Sequence, residues 1–464
     1  MRVLHVLANG PPDVNGYAIR SKMILEHLDE FTETKVIGLT SPWYPRNPNM
    51  IDLHKEKGVT YLRTPHPVQT EGKLPLALSI ARWVERRHEY HYPQNLEKAE
   101  EMKKKRKDSG LIGKLLRSPS YFLKIFWKIA EERILVRYFK KRILEVAKQY
   151  DIQLIHAHTP YRVGLPALKA ARKLKIPLIY EMRGMWEETA IASGRWMRNG
   201  PAYHRFRRFE TKVLTKSDHV ICISEALKTE ATSRGVNAEN ITVVPNGFSP
   251  SLTEKREIES NLEIARKQLQ INENTTVIGY IGSLRKIEGV NQTAEAVADL
   301  NSKGFDVRFF VLTGLAGQAE LRLFCQDLGI QEESVIVGPV PHDKVGGYYD
   351  LIDVFVVSRP STRVTEFVTP LKPFEAMAKG KFVIASNLIA LREIIQHEKT
   401  GLLYNPESSL NLSSEIEKYL NDPALRQSIG QNAEKWVMQH RKWEDLVKST
   451  FELYQKLLHS GGPE

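Results

Sequence analysis

The chain has 464 residues and a formal net charge of +12, and 42% of its residues are hydrophobic and 26% charged. This composition excludes large-scale disorder, and a chain of this length exceeds what one hydrophobic core usually serves, so we expect two domains. The two cysteines, Cys222 and Cys325, lie far apart in apolar runs, which argues against a disulfide framework and a thiolate metal site.

The N-terminus lacks the long apolar core of a signal peptide, because the strand-like residues 3–7 are soon followed by Gly10, Pro11 and Pro12. No apolar run approaches ~20 residues, so we expect no membrane-spanning helix. These features predict a cytoplasmic protein.

The first elements predict a βα unit: a strand at 3–7, a turn-rich loop at 10–16 and an amphipathic helix at 18–28. Gly16, in the loop, would let the backbone approach a ligand closely. Tyr17 and Arg20 follow it at the start of the helix. Because such glycine turns are common in proteins, this signal is weak by itself.

Positive charge is concentrated between residues 100 and 145, beginning with five consecutive cations at 103–107. Aromatic side chains such as Phe126 and Trp127 are interleaved with this charge. The combination is typical of an element that lies on an anionic membrane surface. The alternative is a helix pair that packs on its own domain and leaves its lysines in solvent. Nucleic-acid binding would explain the charge but not the glycine-rich loops, so we expect no nucleic-acid partner.

Further strands of the first domain are predicted at 35–39, 60–62, 154–158, 178–182, 219–223 and 241–244, and helices follow most of them, which indicates a parallel sheet. His156 and His158 share one strand face, which would suit a metal. No third ligand is evident nearby, so we favour a hydrogen-bonding or positioning role and expect no metal. Glu181, Arg183 and Trp186 follow the next strand, a grouping that suits a hydroxyl-rich ligand stacked on the indole.

The alternation of strands and helices breaks after residue 247 and resumes with strands at 277–281, 307–313, 335–337, 354–357 and 382–385. We therefore expect an α/β protein with two doubly wound, Rossmann-like domains facing a cleft. The predicted ranges are 1–248, with a basic helical insertion at about 65–145, then 249–435, and one C-terminal helix at 436–464 that packs across both domains. Ligands of such sheets bind at the carboxyl ends of the strands.

Gly282 and Ser283 end the first strand of the second domain, and two cations, Arg285 and Lys286, come just after them. Amides and cations in this arrangement could bind a pyrophosphate, although a structural βα turn is the alternative. A later strand is followed by an extended turn whose backbone could face a planar base; its residues include Pro339 and Val340.

The segment 366–386 is the most informative in the chain. A turn rich in Pro and Lys opens a short helix, where Lys372 supplies a point charge and Glu375 can accept hydrogen bonds from hydroxyl groups. Gly380 ends the helix, and a buried strand is expected at 382–385. The alternative is an acidic first turn that only offsets the helix dipole.

The sequence contains no Asp-x-Asp pair for a divalent metal, no phosphate loop ending in Gly-Lys-Ser/Thr, and no serine elbow. The charge of a bound diphosphate would then be neutralised by protein cations and amides.

Several of these segments together are similar to one family. NGYAIRS, LIHAHTPY, IYEMRGMW, VICISEAL, VVPNG, YIGSLRKIEG, VGPVP and TPLKPFEAMAKGKFVIAS occur in this order. The chain resembles the retaining glycosyltransferases of family four, which have the GT-B fold, and looks most like the branch associated with envelope or exopolysaccharide synthesis. The resemblance covers nearly the whole length except about 65–145.

The resemblance implies transfer of a sugar, with retained anomeric configuration, from a nucleoside-diphosphate donor (a UDP-sugar first of all) and without metal or other cofactor. The implied acceptor is a saccharide or lipid-linked saccharide, so a peripheral contact with the inner face of the cell membrane is expected. Glu375 would bind the donor ribose, and the remaining implied donor-binding residues are Gly16, Gly282, Ser283, Arg285, Lys286, Pro339, Val340, Thr369, Pro370, Leu371 and Lys372. The implied catalytic residues are His158, Glu181, Arg183 and Lys372, and the acceptor would contact Tyr17, Arg20 and Trp186.

The chain departs from the family pattern at three places. Eight residues before Glu375 the family has a second glutamate, but this chain has Phe367, with Glu366 one position earlier. The arginine and lysine usual at the opening of the second domain fall on Ser283 and Glu288. The histidine common after the IYEM strand falls on Arg183.

Two other functions fit the same fold. A nucleotide-sugar epimerase would need no acceptor but more acid–base residues in the cleft. A non-catalytic nucleotide-sugar-binding protein is favoured by the missing arginine and lysine. Turnover with an acceptor separates the transferase from both.

Overall fold

The computed structural model describes residues 1–13, 15–31, 33–43, 53–67, 118–248, 260–272, 275–341 and 344–459. Most of the predicted insertion, including the cations at 103–107, lies outside these residues, as do the side chains of Phe126 and Trp127. No helix in the described part is long and apolar enough to cross a membrane.

The first sheet has eight strands: β1 (Arg2–Leu7), β2 (Lys35–Thr40), β3 (Leu53–Glu56), β4 (Val59–Arg63), β5 (Leu154–His158), β6 (Leu178–Met182), β7 (His219–Cys222) and β8 (Ile241–Val243). Their order is β3-β4-β2-β1-β5-β6-β7-β8, and every pair is parallel except β3 with β4. The seven predicted strands are present. β3 was not predicted, because this short edge strand is only partly buried and has no continuous apolar run.

Among the described residues, six helices flank this sheet: α1 (Gly16–Asp29), α2 (Ser118–Gln149), α3 (Tyr161–Leu174), α4 (Trp186–Ala192), α5 (Pro201–Lys216) and α6 (Glu225–Ser233). Phe139, Ile143 and Val146 of α2 are buried in the core of the sheet. The described part of α2 therefore packs its apolar face on its own domain. This is the second of the two interpretations given for the basic segment.

The second sheet has six parallel strands in the order β11-β10-β9-β12-β13-β14. They are β9 (Thr276–Ile281), β10 (Val307–Leu312), β11 (Ser334–Val337), β12 (Val354–Val357), β13 (Phe382–Ser386) and β14 (Leu402–Tyr404). The helices around it are α7 (Ser260–Gln268), α8 (Val290–Ser302), α9 (Gln318–Asp327), α10 (Val345–Tyr349), α11 (Arg363–Phe367), α12 (Lys372–Ala378), α13 (Ile389–Arg392) and α14 (Ser409–Leu420). All five predicted strands are present; the three-residue β14 was too short to predict.

The chain ends in two helices, α15 (Pro423–His440) and α16 (Trp443–His459). The prediction of one continuous helix from Trp436 was wrong, because the helix is interrupted at Arg441 and Lys442. There the backbone of Arg441 accepts a hydrogen bond from Phe248, which lies just after the first domain's last strand. α16 then packs on the first sheet, where Trp443 and Tyr454 are buried beside Val3 and Ile24.

Candidate active site

The carboxyl ends of the two sheets face each other across a cleft. A Cβ on Gly16 would lie 3.5 Å from Cδ1 of Leu371, and one on Gly184 would lie 3.8 Å from the Val368 side chain. Nδ2 of Asn246 donates to the backbone oxygen of Thr369 at 3.1 Å. The structure thus brings the predicted first-domain loops against residues 368–371, which we call the sugar loop.

Tyr17 and Arg183 form the first-domain wall of the cleft. The Asn15 side chain caps α1 by accepting from the backbone of Ala18. The Tyr17 hydroxyl accepts from the Ala8 amide at 2.9 Å, and the Arg183 guanidinium lies 4.6 Å from the centre of the Tyr17 ring. Trp186, at the start of α4, is half-buried and packs on the core of its own domain.

On the opposite wall, Lys372 crosses the turn after β9. Gly282 has a φ of +155°, and a Cβ at this position would lie only 2.1 Å from Cε of Lys372. The positive φ favours glycine here, and the close approach shows that the Lys372 side chain lies over the carboxyl end of β9. Ser283, Arg285 and Lys286 are exposed just beyond it.

Glu375 lies on α12, half-buried, with Oε2 accepting a hydrogen bond from the Tyr349 hydroxyl at 2.7 Å. Burial and the neighbouring Glu375 carboxylate both raise the pKa of Tyr349 well above its usual range, so the phenol keeps its proton and remains a donor. This bond fixes one carboxylate oxygen.

The start of α12 offers fewer backbone donors than the sequence suggested. The helix has seven residues, its second residue is Pro373, which has no N–H, and the Phe374 amide donates to the backbone oxygen of Leu371 at 3.1 Å. Lys372 therefore carries more of the positive potential at this end. Gly380, with a φ of +64°, ends the segment as predicted.

Pro339 and Val340 follow β11. Pro339 is exposed, whereas Val340 is half-buried against the second core. Gly338 has a φ of +105°, and a Cβ there would lie 2.2 Å from the backbone oxygen of Thr313. The turn therefore depends on glycine, and it follows the carboxyl end of a strand, as the sequence predicted.

Behind the first-domain wall lies a buried polar cluster formed by His5, His156, His158, Glu181 and Tyr454. His5 Nδ1 lies 3.0 Å from His158 Nε2, and the Tyr454 hydroxyl lies 3.2 Å from His5 Nε2 and 2.6 Å from His156 Nδ1. Glu181 Oε2 lies 2.8 Å from His158 Nδ1 and 3.3 Å from His156 Nε2. His5 is the third imidazole that the sequence did not show, and the three rings come close enough to hold a metal. Because each nitrogen already faces a polar partner in this cluster, the geometry favours hydrogen bonding.

Charge in this cluster is set by Glu181 and two arginines. Arg20 Nε and Arg183 Nε lie 2.7 and 3.1 Å from Glu181 Oε1. Burial alone would raise the pKa of Glu181, but Arg183 and Arg20 hold it well below its usual range. Burial and the other two imidazoles lower the pKa of His5. The carboxylate is thus ionised and this imidazole neutral.

Three of the predicted site residues are buried. Arg20 is 2% exposed, and its guanidinium also donates to the backbone oxygens of Val244 and Pro245. Glu181 and His158 are fully buried. The structure thus places all three side chains behind the wall that carries Arg183 and Tyr17. The catalytic roles of His158 and Glu181 and the acceptor contact of Arg20 stay predictions.

Sequence reasoning missed Asn246, Tyr349, His5 and Tyr454. The register of parallel strands places His5 beside His156, so pairing the two predicted strands could have indicated the cluster. Tyr349 and Tyr454 come from helices far away in sequence, and no local pattern points to them.

The family profiles agree with this arrangement. Residues 97–252 match the profile described as Glycosyltransferase Family 4, and residues 261–436 match the one described as Glycosyl transferases group 1. Together the two matches cover well over half of the chain.

The chain belongs to glycosyltransferase family four.

Individual relatives of this family-four member are distant. The alpha-monoglucosyldiacylglycerol synthase of Streptococcus pneumoniae is 29% identical over 61% of the chain and 63% of its own length, so the match spans less than two thirds of that relative. The capsular polysaccharide biosynthesis glycosyltransferase CapM of Staphylococcus aureus is 26% identical over 61% of the chain and 71% of its own length. Envelope-related enzymes are therefore among its similar proteins.

A solved structure supports the fold. HepE from Anabaena, in complex with UDP-glucose, superimposes with a TM-score of 0.62 at 18% identity, covering 98% of this chain and 100% of that one. This family-four member thus has the expected GT-B architecture of two Rossmann-like domains.

Proposed function

We propose that the protein transfers a sugar, with retention of configuration, from a UDP-sugar to a saccharide or lipid-linked saccharide acceptor in envelope or exopolysaccharide synthesis. The observation that carries the proposal is the placement of two side chains on α12. Lys372 lies across Gly282, and Glu375, three residues after Lys372, accepts a hydrogen bond from Tyr349. The named relatives, a diacylglycerol glucosylating synthase and a capsule glycosyltransferase, support an envelope acceptor. They give no support to the epimerase alternative.

In the proposed complex, Glu375 Oε1 accepts hydrogen bonds from the donor ribose while Tyr349 holds Oε2. Lys372 and Arg285 face the diphosphate, and the amides of the sugar loop face the hexose. Because these cations lie where negative charge grows as the diphosphate leaves, they stabilise the transition state. A departing phosphate oxygen then takes the proton of the acceptor hydroxyl on the same face, so the protein needs no strong base.

A panel of nucleotide sugars tests the donor. A ligand at a hundred times its dissociation constant adds about 2.7 kcal/mol to the free energy of unfolding, so the true donor raises the melting temperature. Glu375→Ala removes a charged acceptor, and we expect donor affinity to fall by a factor on the order of ten to one hundred. Lys372→Ala should lower turnover in the presence of donor and acceptor.

Glu366→Ala is the matched control for Glu375→Ala. Glu366 accepts hydrogen bonds from the Ser361 hydroxyl and the Ile389 amide, at 2.6 and 2.9 Å, so both of its carboxylate oxygens are already paired with groups of the protein itself. Donor affinity should survive this change. Parental affinity in Glu375→Ala, or activity abolished by a chelator, would contradict the proposed site.

We further infer contact with an anionic membrane through a cationic surface on the first domain. Burial, Lys212, Lys140 and Arg137 lower the pKa of Lys169, which indicates four cations from α2, α3 and α5 gathered close together. Lys169, Lys212 and Arg137 are exposed. Clustered cations on one surface suit anionic lipid headgroups.

Vesicle co-sedimentation tests this contact. The triple variant K140E/K169E/K212E should lose binding to vesicles containing phosphatidylglycerol, because each cation near such a surface contributes about 1 kcal/mol. The control K267E/K399E/K435E makes the same charge change on exposed lysines of the second domain and should still bind. Equal binding by both variants would place the contact elsewhere.

A further inference from the structure

A buried ion pair joins two loops of the second domain. Glu288 ends the 3-10 turn Lys286–Glu288 after β9, and Arg359 lies two residues beyond β12. They are 3% and 5% exposed. Arg359 Nε donates to Glu288 Oε2 at 3.0 Å, and Nη2 donates to both carboxylate oxygens at 3.1 and 2.9 Å. This bidentate geometry fixes the plane of the guanidinium.

The remaining guanidinium nitrogen reaches the sugar loop. Arg359 Nη1 donates to the backbone oxygen of Val368 at 3.0 Å. That oxygen and the N–H of Thr369 belong to the same planar, trans peptide unit, so they point in opposite directions. Fixing the oxygen therefore fixes the direction of the Thr369 N–H.

Glu288 also holds the loop on the β9 side. Arg285 Nη2 donates to Glu288 Oε1 at 2.7 Å, and the Arg285 side chain is 58% exposed. Burial alone would raise the pKa of Glu288, but Arg359, Arg285 and Lys372 lower it, so the carboxylate is ionised. The Glu288 carboxylate thus binds two arginines. One is Arg285, in the loop with the candidate phosphate cations, and the other is Arg359, which contacts the sugar loop.

We propose that Arg359, aligned by Glu288, is a positioning residue that aims the Thr369 N–H at the hexose of the donor. The proposal rests on the proposed function, because it assumes a nucleotide sugar in the cleft. Arg359 acts through the peptide unit between Val368 and Thr369.

Exchanging the two charges separates positioning from stability. The variant E288R/R359E restores an ion pair, but a glutamate at 359 has no proton to donate to the Val368 oxygen. R359Q removes the charge and breaks the pair. R308Q is the matched control, since Arg308 pairs with Asp306 in the same domain, at the amino end of β10 and away from the cleft.

The readouts are UDP released from UDP-glucose, UDP affinity by calorimetry, and the melting temperature. We expect R359Q and the exchange variant to release UDP about 100-fold more slowly, because a misdirected donor costs about that factor. UDP affinity should be unchanged in R359Q, because UDP carries no hexose and both Glu375 and the contact between Arg285 and Glu288 are untouched. The exchange should recover the melting temperature lost in R359Q without recovering the rate, and R308Q should keep the parental rate.

Two results would overturn the proposal alone: a parental rate in R359Q, or an exchange variant that recovers rate and melting temperature together. A parent protein that neither binds UDP nor releases it from UDP-glucose would instead contradict the proposed function, and this inference with it.

Discussion

At the scale of single residues, Glu210 is a carboxyl group whose charge is poorly solvated. It is 1% exposed and accepts hydrogen bonds from the Tyr161 amide and the Tyr180 hydroxyl. Burial and the nearby Glu187 raise the pKa of Glu210 to about 7. An acid whose pKa is raised by folding favours the folded state while it is protonated, and this contribution is lost as pH rises through about 7.

Glu210→Gln should therefore stabilise the protein increasingly as pH rises from about 4.5, the ordinary pKa of the carboxyl, to about 7, its pKa in the folded state. At pH 4 the carboxyl is largely protonated in both the folded and the unfolded state, and the free energies of unfolding should be nearly equal; at pH 8 the variant should gain up to about 3 kcal/mol. Denaturant unfolding at both pH values measures the difference. The exposed Glu407→Gln is the control. A gain that does not depend on pH would contradict the assignment.

Single residues also show where the sequence sufficed. Lys372 and Glu375 lie in the first turn of a helix that precedes the buried strand β13, so the helix that carries them could be predicted from local pattern. The burial of Arg20 could not be predicted, because it depends on Glu181 and the backbone at Val244, more than 150 positions away. The chain alone shows charge but not which charges are already paired.

At the scale of elements, the first amides of α6 are hydrogen-bonded to a residue of the second domain. Glu393, which follows α13, accepts hydrogen bonds from the backbone amides of Glu225 and Ala226 at 2.9 and 2.8 Å. A carboxylate at a helix start satisfies free amides and the helix dipole together. The N-cap Ser224 also donates to the Phe367 backbone oxygen, so α6 and α11 are joined at their ends.

Elements buried on both faces were the easiest to predict. β5, β6 and β13 consist of buried residues throughout, and apolar runs between turns indicate such strands. The break between α15 and α16 was missed because Trp436 and Trp443 fit one helical period. It depends on Phe248 pairing with the backbone at Arg441, a contact that local sequence does not encode.

At the scale of the molecule, ion pairs bridge the cleft beside the sugar loop. Arg363 of α11 lies 2.5 Å from Glu230 of α6 and 3.5 Å from Glu188 of α4, while its side chain is 37% exposed. The pair is partly solvated, so its contribution to the free energy is about 1 kcal/mol or less. It nonetheless acts on the relative position of the two domains, because it joins α11 of the second domain to α4 and α6 of the first.

Arg363→Ala should loosen the two domains without unfolding either one. We expect a larger radius of gyration in small-angle X-ray scattering without nucleotide, and a melting temperature near that of the parent. Lys303→Ala, which removes a surface pair within the second domain, is the control and should leave the scattering unchanged. Identical scattering of Arg363→Ala and parent would show that other contacts set the domain arrangement.

The buried cluster behind the cleft has a proton deficit. With Glu181 ionised, three neutral imidazoles and the phenol of Tyr454 carry four mobile hydrogens, yet the cluster has five polar contacts. If His158 donates to Glu181, His5 to His158, Tyr454 to His5 and His156 to Tyr454, the contact left bare is the one at 3.3 Å, the longest of the five. Every other placement of the four hydrogens leaves one of the four shorter contacts without a hydrogen, so the distances favour this one direction of donation around the circuit.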